Sequence, residues 1–472
     1  MRKNDSITGS FDWILFGLYL VLVVFGVSTI YSVAYNPENP SIFSFDEIYG
    51  RQMMWVGISL FLGLLVFLID SDIYRKFSIP IYLFCLALLI IVLFMPPING
   101  ARAWLGIGPF GIQPGEFAKI GTAILLANYL SSFNVKQQNG RTVLVSLAII
   151  AIPMLLIILQ PDAGTVVVFT AFFFVMYREG LTFDPIVLKI VNIIPGVRFK
   201  STWLGTHFIP ILFVVVFLLV ITLIVGHTPL LFDAYPGHEF SGYWRMFAAL
   251  LTTAIIGYLL MRWLFSKRDA RRAFIVAILG FSMSVLLTAT VHSTFKSLPS
   301  HQKTRIELWL GIYEAEEGTG NVGDGADYNR RRAMTAVGSG GFTGKGYREA
   351  NIANTKTNHV PECETDFIFS PWAEERGFIG SLVLVVIYSI MLLRIVAIAE
   401  RQRSKYNRVY AYCVAMILFY HFAINIGMNI GLVPIIGIPL PLFSYGGSSM
   451  MSFSIMIFLL LKLDSQRKDV LN

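Results

Sequence analysis

"QPGEFAKIGTAILLANYL", residues 113–130, opens with polar and small residues and then stays apolar long enough to enter a bilayer. Pro114 suits the first position of a helix, where the missing N–H costs no hydrogen bond. Glu116 and Lys119 then lie three apart in the opening turn, on one helix face. Arg102 stands just upstream. Charge beside hydrocarbon is costly and commonly marks a site. Two readings are open. Free N–H groups at the helix start favour an anion, with Arg102 and Lys119 adding positive charge; or Glu116 and Lys119 form a structural ion pair that ties the loop to the helix.

Working outward, the chain reads as an all-α polytopic integral membrane protein. Hydrophobic residues make up 55% of its 472 residues and charged residues 14%, against roughly 25% charged in soluble domains. The mean hydropathy of +0.66 requires apolar stretches along nearly the whole length. A bilayer core of roughly 30 Å takes about 20 helical residues. Twelve segments meet that need: 13–34, 51–69, 78–95, 116–133, 143–160, 163–177, 207–226, 245–264, 272–291, 376–399, 408–428 and 443–461. The sixth is short, as a tilted or broken span would be. The first is too long for a signal-peptide core and reads as an uncleaved anchor.

Loop charges give the orientation. Alternate short loops carry Arg75 and Lys76, Lys136 and Arg141, the 178–200 bases, the 267–272 bases and the 401–408 bases; the tail adds Lys462, Arg467 and Lys468. Residues 35–50 carry three acids and no base. Basic loops stay in the cytoplasm, so both termini are expected there. The +8 net charge therefore reflects orientation and gives no reason to expect nucleic acid. Residues 292–375 form the one long outer loop, where Arg330, Arg331 and Arg332 do not offend the rule because long loops translocate regardless of charge. Residues 178–206 form a connector with room for an interfacial helix near Phe183–Ile194. The cysteines Cys85, Cys363 and Cys413 show neither metal spacing nor a paired framework.

Three further polar stretches accompany the opening one. "LQPDAGT", 159–165, places Asp162 between two spans, where an ordinary turn is the plainer reading. The loop 321–380 combines glycines, acids and three arginines, which suits a phosphorylated or sugar substrate; Phe367, Ile368, Phe369 and Trp372 argue for a folded cap rather than a solvated tether. "NIGMNIGLVPIIGIPLPLFSYGGSSMMS", 425–452, puts Asn, Gly and Pro into an apolar context. Broken backbone at membrane depth must be covered by protein or line a cavity, and close helix packing at Gly446–Ser449 is the simpler reading.

These four stretches, as GARAW…QPGEFAK, QPDAGT, GADYNRRRAMTAVGSGGFTGKGY…PECETDFIFSPWAEERGFIG and GIPLPLFSYGGSS, resemble the signature blocks of the SEDS (shape, elongation, division and sporulation) family in order from about residue 13 to 461. Gly115 stands where the family usually has serine, and Glu364 where histidine is common. The opening "FDWILFGLYLVLVVFGVSTIYS" and "YGRQMMW" are similar to the RodA-type branch more than the FtsW-type. The resemblance implies one membrane domain over 1–472: a core of about ten spans, a large structured outer loop at 292–375, and an inserted connector and extra hairpin within 178–264.

It also implies an activity, polymerisation of peptidoglycan glycan strands from lipid II for cell elongation and shape, in the bacterial inner membrane with the active site on the outer face. By resemblance, the catalytic base is Asp324, with Asp327 as the alternative; Arg102, Glu116, Lys119, Asp162, Lys345, Glu362 and Asp366 contact substrate. The implied partners are lipid II, the nascent glycan strand and a class B penicillin-binding protein. No ligand pattern requires a metal, although outer carboxylates could hold Mg²⁺ or Mn²⁺. A lipid-precursor flippase and a non-catalytic scaffold are the rival readings. Clustering of the charged candidates on one face argues against the flippase.

Overall fold

The computed structural model describes residues 11–97, 101–106, 111–132, 139–192, 322–355 and 360–467, with isolated positions between 251 and 306. Residues 1–206 and 328–472 make one compact unit and 207–327 a second. Thirteen helices are described: α1 (Trp13–Ala34), α2 (Ile48–Leu68), α3 (Ser71–Lys76), α4 (Ser78–Val92), α5 (Pro114–Ser131), α6 (Gly140–Leu159), α7 (Ala163–Phe169), α8 (Ala171–Arg178), α9 (Asp184–Val191), α10 (Val322–Ser339), α11 (Phe369–Arg401), α12 (Lys405–Asn429) and α13 (Gly447–Ser465). Among the described residues the only β pairing is one antiparallel bridge, Leu105 with Ile112, which closes the loop before α5.

Among the described residues six helices are long and apolar enough to cross a membrane: α1, α2, α6, α11, α12 and α13. The expected spans 78–95 and 116–133 appear as α4 and α5. The short sixth span appears as α7 and α8, which meet at Thr170, where the backbone stays right-handed helical (φ −64°, ψ −18°). The spans expected at 207–226, 245–264 and 272–291 lie outside the described residues apart from scattered helical positions. Helix α9 forms within the connector.

Hydrogen bonds of Ser32 with Glu375 and of Gln113 with Asp162 and Ser448 bring the end of α1 toward the start of α11 and the starts of α5, α7 and α13 together, at one end of the bundle. At the opposite end, buried carboxylates are met by arginines. Asp12 caps α1 through the Leu15 N–H at 3.0 Å and accepts from Arg394 at 2.8 Å and Arg401 at 2.7 Å. Asp464 of α13 also takes Arg401, together with Gln402 at 2.8 Å and Arg467 at 3.0 Å. Glu179 takes Arg408 of α12 through two bonds of 3.0 and 2.8 Å. A carboxylate taken out of water is costly without such partners, so each acid fixes the helices whose cations it holds.

Gly447, at the start of α13, lies so close to Trp55 that a Cβ would come within 2.5 Å of the indole, and one at Gly63 would come within 2.6 Å of the Phe458 ring. Small residues let α13 seat directly against α2. The non-helical run between α12 and α13 is covered by protein: Ile438, Leu440, Leu442 and Phe443 are buried in the main core. Asn425 of α12 pins it, and Asn425 and Asn429 together tie α12 to the start of α11 and the residues before it. Asn425 donates to Ile438 O at 2.7 Å and Asp366 O at 2.8 Å, and Asn429 accepts from Ser370 at 2.6 Å. Backbone polar groups at this depth therefore find partners without water.

Candidate functional site

The first turn of α5 carries the charged pair inward. Lys119 Nζ donates to Glu116 Oε1 at 2.8 Å, and neither side chain reaches solvent appreciably, at 0% and 3% exposure. Glu116 Oε2 accepts from Ser452 of α13 at 3.0 Å. The third partner is His421 of α12, whose Nε2 lies 2.7 Å from Lys119 Nζ. His421 Nδ1 lies 3.1 Å from the Pro439 carbonyl, which can only accept, so Nδ1 carries the proton and Nε2 accepts from the ammonium. The Phe453 ring sits 5.4 Å from Lys119 and stands edge-on to the imidazole at 4.9 Å. The result is an ionic cluster spanning α5, α12 and α13, closed to solvent in this conformation.

Sequence reasoning passed over His421 and Ser452. His421 carried a signal, an ionisable residue inside a span; a serine in an apolar helix carries none.

Beside this cluster, Asp162 is the N-cap of α7. It accepts from the Thr165 N–H at 3.0 Å and the Thr165 hydroxyl at 2.8 Å, an ordinary capping arrangement. It also accepts from the Gln113 side chain at 2.9 Å, while the Gln113 N–H donates to Ser448 at 2.9 Å. Gln113 thus joins three of the four sequence blocks at the start of α5. Gly115 sits against Thr165, where a Cβ would lie 3.2 Å from Thr165 Cγ2. Arg102 is exposed and separate from the pair: its Nη1 donates to Leu93 O and its N–H to Gln160 O, each at 3.2 Å.

The outer-loop block folds onto Glu374 and Glu375, both fully buried. Glu374 accepts from Lys345 at 2.5 Å and from the N–H groups of Asn351, Ile352 and Ala353 at 2.8–3.1 Å. With four donors converging on it, this one carboxylate organises the loop around itself. Glu375 accepts from Ser32, from the Arg348 N–H at 3.1 Å and from Arg376 at 2.9 Å. Gly377 takes a φ of +63° and kinks α11 where the loop returns, its Cβ position only 2.3 Å from Gly344 N. Lys345 is thereby engaged with Glu374. Glu362 is exposed with a φ of +56°, and the carbonyl of half-buried Asp366 receives Asn425.

Asp324 and Asp327 lie on the backbone of α10, but their side chains are outside the described residues. Among the described residues no group of three His, Cys, Asp or Glu side chains comes together as a metal site.

The chain is similar to known proteins along most of its length. A family model described as "Cell cycle protein" and covering FtsW, RodA and SpoVE matches residues 12–197 and 246–469. The unmatched interval falls within 178–264, the segment read from the sequence as carrying an insertion. The chain is 29% identical over 470 residues to the peptidoglycan glycosyltransferase RodA of Treponema pallidum, covering 97% of this chain and 98% of that protein. It is 25% identical over 420 residues to the peptidoglycan glycosyltransferase MrdB of Escherichia coli, covering 89% and 86%. In fold it is similar to a chain from a structure on coordination of polymerization and crosslinking by a peptidoglycan synthase complex, with a TM-score of 0.63 at 23% identity over 97% of this chain and 98% of that one. The crystal structure of Thermus thermophilus RodA gives a TM-score of 0.54 at 21% identity, with the same coverage. With the family match running along both sides of the central segment and the signature blocks gathered at one end of the bundle, the chain belongs to the FtsW/RodA/SpoVE family.

Proposed function

We propose that this chain is a peptidoglycan glycosyltransferase that polymerises glycan strands from lipid II. The observation that carries the reading is the family match over 12–197 and 246–469, which includes every one of the charged blocks described above. The RodA and MrdB names of the relatives favour a role in elongation over one in division.

In this reaction the 4-hydroxyl of one substrate's GlcNAc attacks the anomeric carbon of MurNAc on the growing chain. The bond to the undecaprenyl diphosphate breaks, the diphosphate leaves with its electron pair, and the α linkage becomes β-1,4. A carboxylate within about 3 Å of the hydroxyl takes its proton; that role goes to Asp324, with Asp327 as the alternative. Negative charge grows on the leaving diphosphate, where cations stabilise it. Arg102, exposed between the ends of α4 and α6, is suited to direct contact. Lys119 has no accessible surface, so in this conformation it contributes by holding Glu116, His421 and the α5 terminus in place. Asp162 and Lys345 do the same for their loops, and Glu362 and Asp366 border the substrate.

The membrane orientation follows the loop charges, with both termini cytoplasmic and the Glu116, Asp162 and Glu374 end outside. A class B penicillin-binding protein is the expected partner; the synthase-complex relative favours it. The decisive experiment incubates purified protein with lipid II and separates the products on a gel. The wild type is expected to form polymer and Asp324→Asn none. Full activity in Asp324→Asn with loss in Asp327→Asn moves the base to Asp327, and no polymer from folded wild type, with or without the partner, refutes the reading.

A further inference from the structure

The end of α1 and the loop after Lys345 enclose a half-open cavity of about 110 Å³, lined by Ser32, Val33, Tyr35, Arg348, Ala350, Asn354 and Glu375. None of the substrate-contacting residues expected from the sequence lines it. Its chemistry is polarised. Glu375 forms the floor, but its charge is answered by Arg376 at 2.9 Å. Arg348, at the exposed mouth, is not answered: its guanidinium makes no hydrogen bond or ion pair to any side chain among the described residues. Its guanidinium carbon lies over the Tyr35 ring at 3.5 Å from the centroid, a cation–π contact that restrains the group while using none of its N–H donors. Arg348 also adopts a φ of +67°, a backbone state that a non-glycine residue keeps only where its surroundings impose it. Here the imposing contact is its own N–H bond to the buried Glu375 at 3.1 Å.

A fixed guanidinium with free edges matches a planar, two-oxygen acceptor. The space is smaller than the roughly 150 Å³ that takes a benzene ring. It therefore admits a carboxylate with the carbon that bears it, and neither a sugar ring nor a prenyl chain. Apolar Val33 and Ala350 on the wall suit a small substituent on that carbon.

We propose that this cavity is a subsite for the terminal carboxylate of a peptide ending in a small residue, gripped by Arg348. Its source as the stem peptide of the polymerase's own substrate rests on the function proposed above. Engagement there would hold the peptide away from the glycan as the strand lengthens.

The test titrates N-acetyl-D-alanyl-D-alanine and its C-terminal amide into the purified full-length protein, followed by saturation-transfer NMR. The free acid is expected to bind and the amide to bind about ten-fold more weakly or worse, the loss of a charge-assisted pair. Arg348→Gln is expected to lose the acid by a similar factor, and Arg348→Lys to recover only part of it. Arg348 is exposed, so an unchanged thermal midpoint verifies that the variant is folded. Equal binding of acid and amide, undiminished binding by folded Arg348→Gln, or absence of binding would each overturn the subsite. So would inorganic phosphate competing more strongly than acetate. Acid-selective binding in a wild type that forms no polymer from lipid II would keep the subsite while removing the polymerase reading. Polymer formation at wild-type KM by Arg348→Gln, with acid binding lost, would overturn the stem peptide as the source.

Discussion

Replacing Lys119 with methionine removes a cation that has no accessible surface and leaves Glu116, 3% exposed, with only the Ser452 hydroxyl at 3.0 Å. An uncompensated buried charge of this kind costs about 3–5 kcal/mol. Glu116→Gln is the milder change, because an amide oxygen can still accept from Lys119. The double variant Glu116→Gln/Lys119→Met carries no charge and keeps nearly the same volume; replacing both partners of a buried pair is often close to neutral. A double-mutant cycle should therefore give a coupling energy on the order of 2 kcal/mol or more, with the double variant near the wild type in stability. The measurement is reversible unfolding of purified protein in mixed detergent micelles as the SDS fraction rises. Single-variant costs below about 1 kcal/mol would mean that the pair is hydrated, and the enclosed cluster would be refuted. The same variants separate fold from chemistry. A stable double variant that polymerises lipid II normally would make the pair purely structural; a stable but inactive one would assign the ionic cluster to the reaction.

Glu374→Gln should loosen the outer loop, since one carboxylate holds Lys345 and three backbone N–H groups; a loss of about 1.5–3 kcal/mol is expected, with faster proteolysis between residues 341 and 355 as the readout. Gly377→Ala should act at the same place more severely, because a Cβ would lie 2.3 Å from Gly344 N on a backbone with a φ of +63°; unaltered proteolysis would contradict the kink. Gly115→Ser, which restores the usual family residue, should cost about 1 kcal/mol or less in the same unfolding assay, as Thr165 Cγ2 at 3.2 Å has only to give slightly. Cys363 is 1% exposed and burial pushes its thiol well above the ordinary range, so maleimide should label it only after denaturation.

Much of the fold was legible locally. Apolar run length predicted α1, α2, α4, α5, α6, α11, α12 and α13, because hydrocarbon thickness sets how many helical residues a span needs. The weak sixth run at 163–177 forms two short helices that meet at Thr170 with the backbone still helical there. Asp162 was read as turn chemistry or site, and its bonds to Thr165 and Gln113 make it both a cap and a link between blocks.

Spacing by itself determined that Glu116 and Lys119 share a helix face, since an i,i+3 relation is a property of the helix alone. It could not determine which way that face turns. The bundle decided this by bringing His421, 302 residues away, and Ser452, 336 residues away, to the same point. The pocket at Arg348 is of the same kind: Tyr35 and Arg348 meet only because the loop around Glu374 docks against the end of α1. Local chemistry follows from neighbours in the chain, whereas burial and partnership depend on which helices pack together; that selection rests on many weak contacts distributed over the core, and no short motif encodes it.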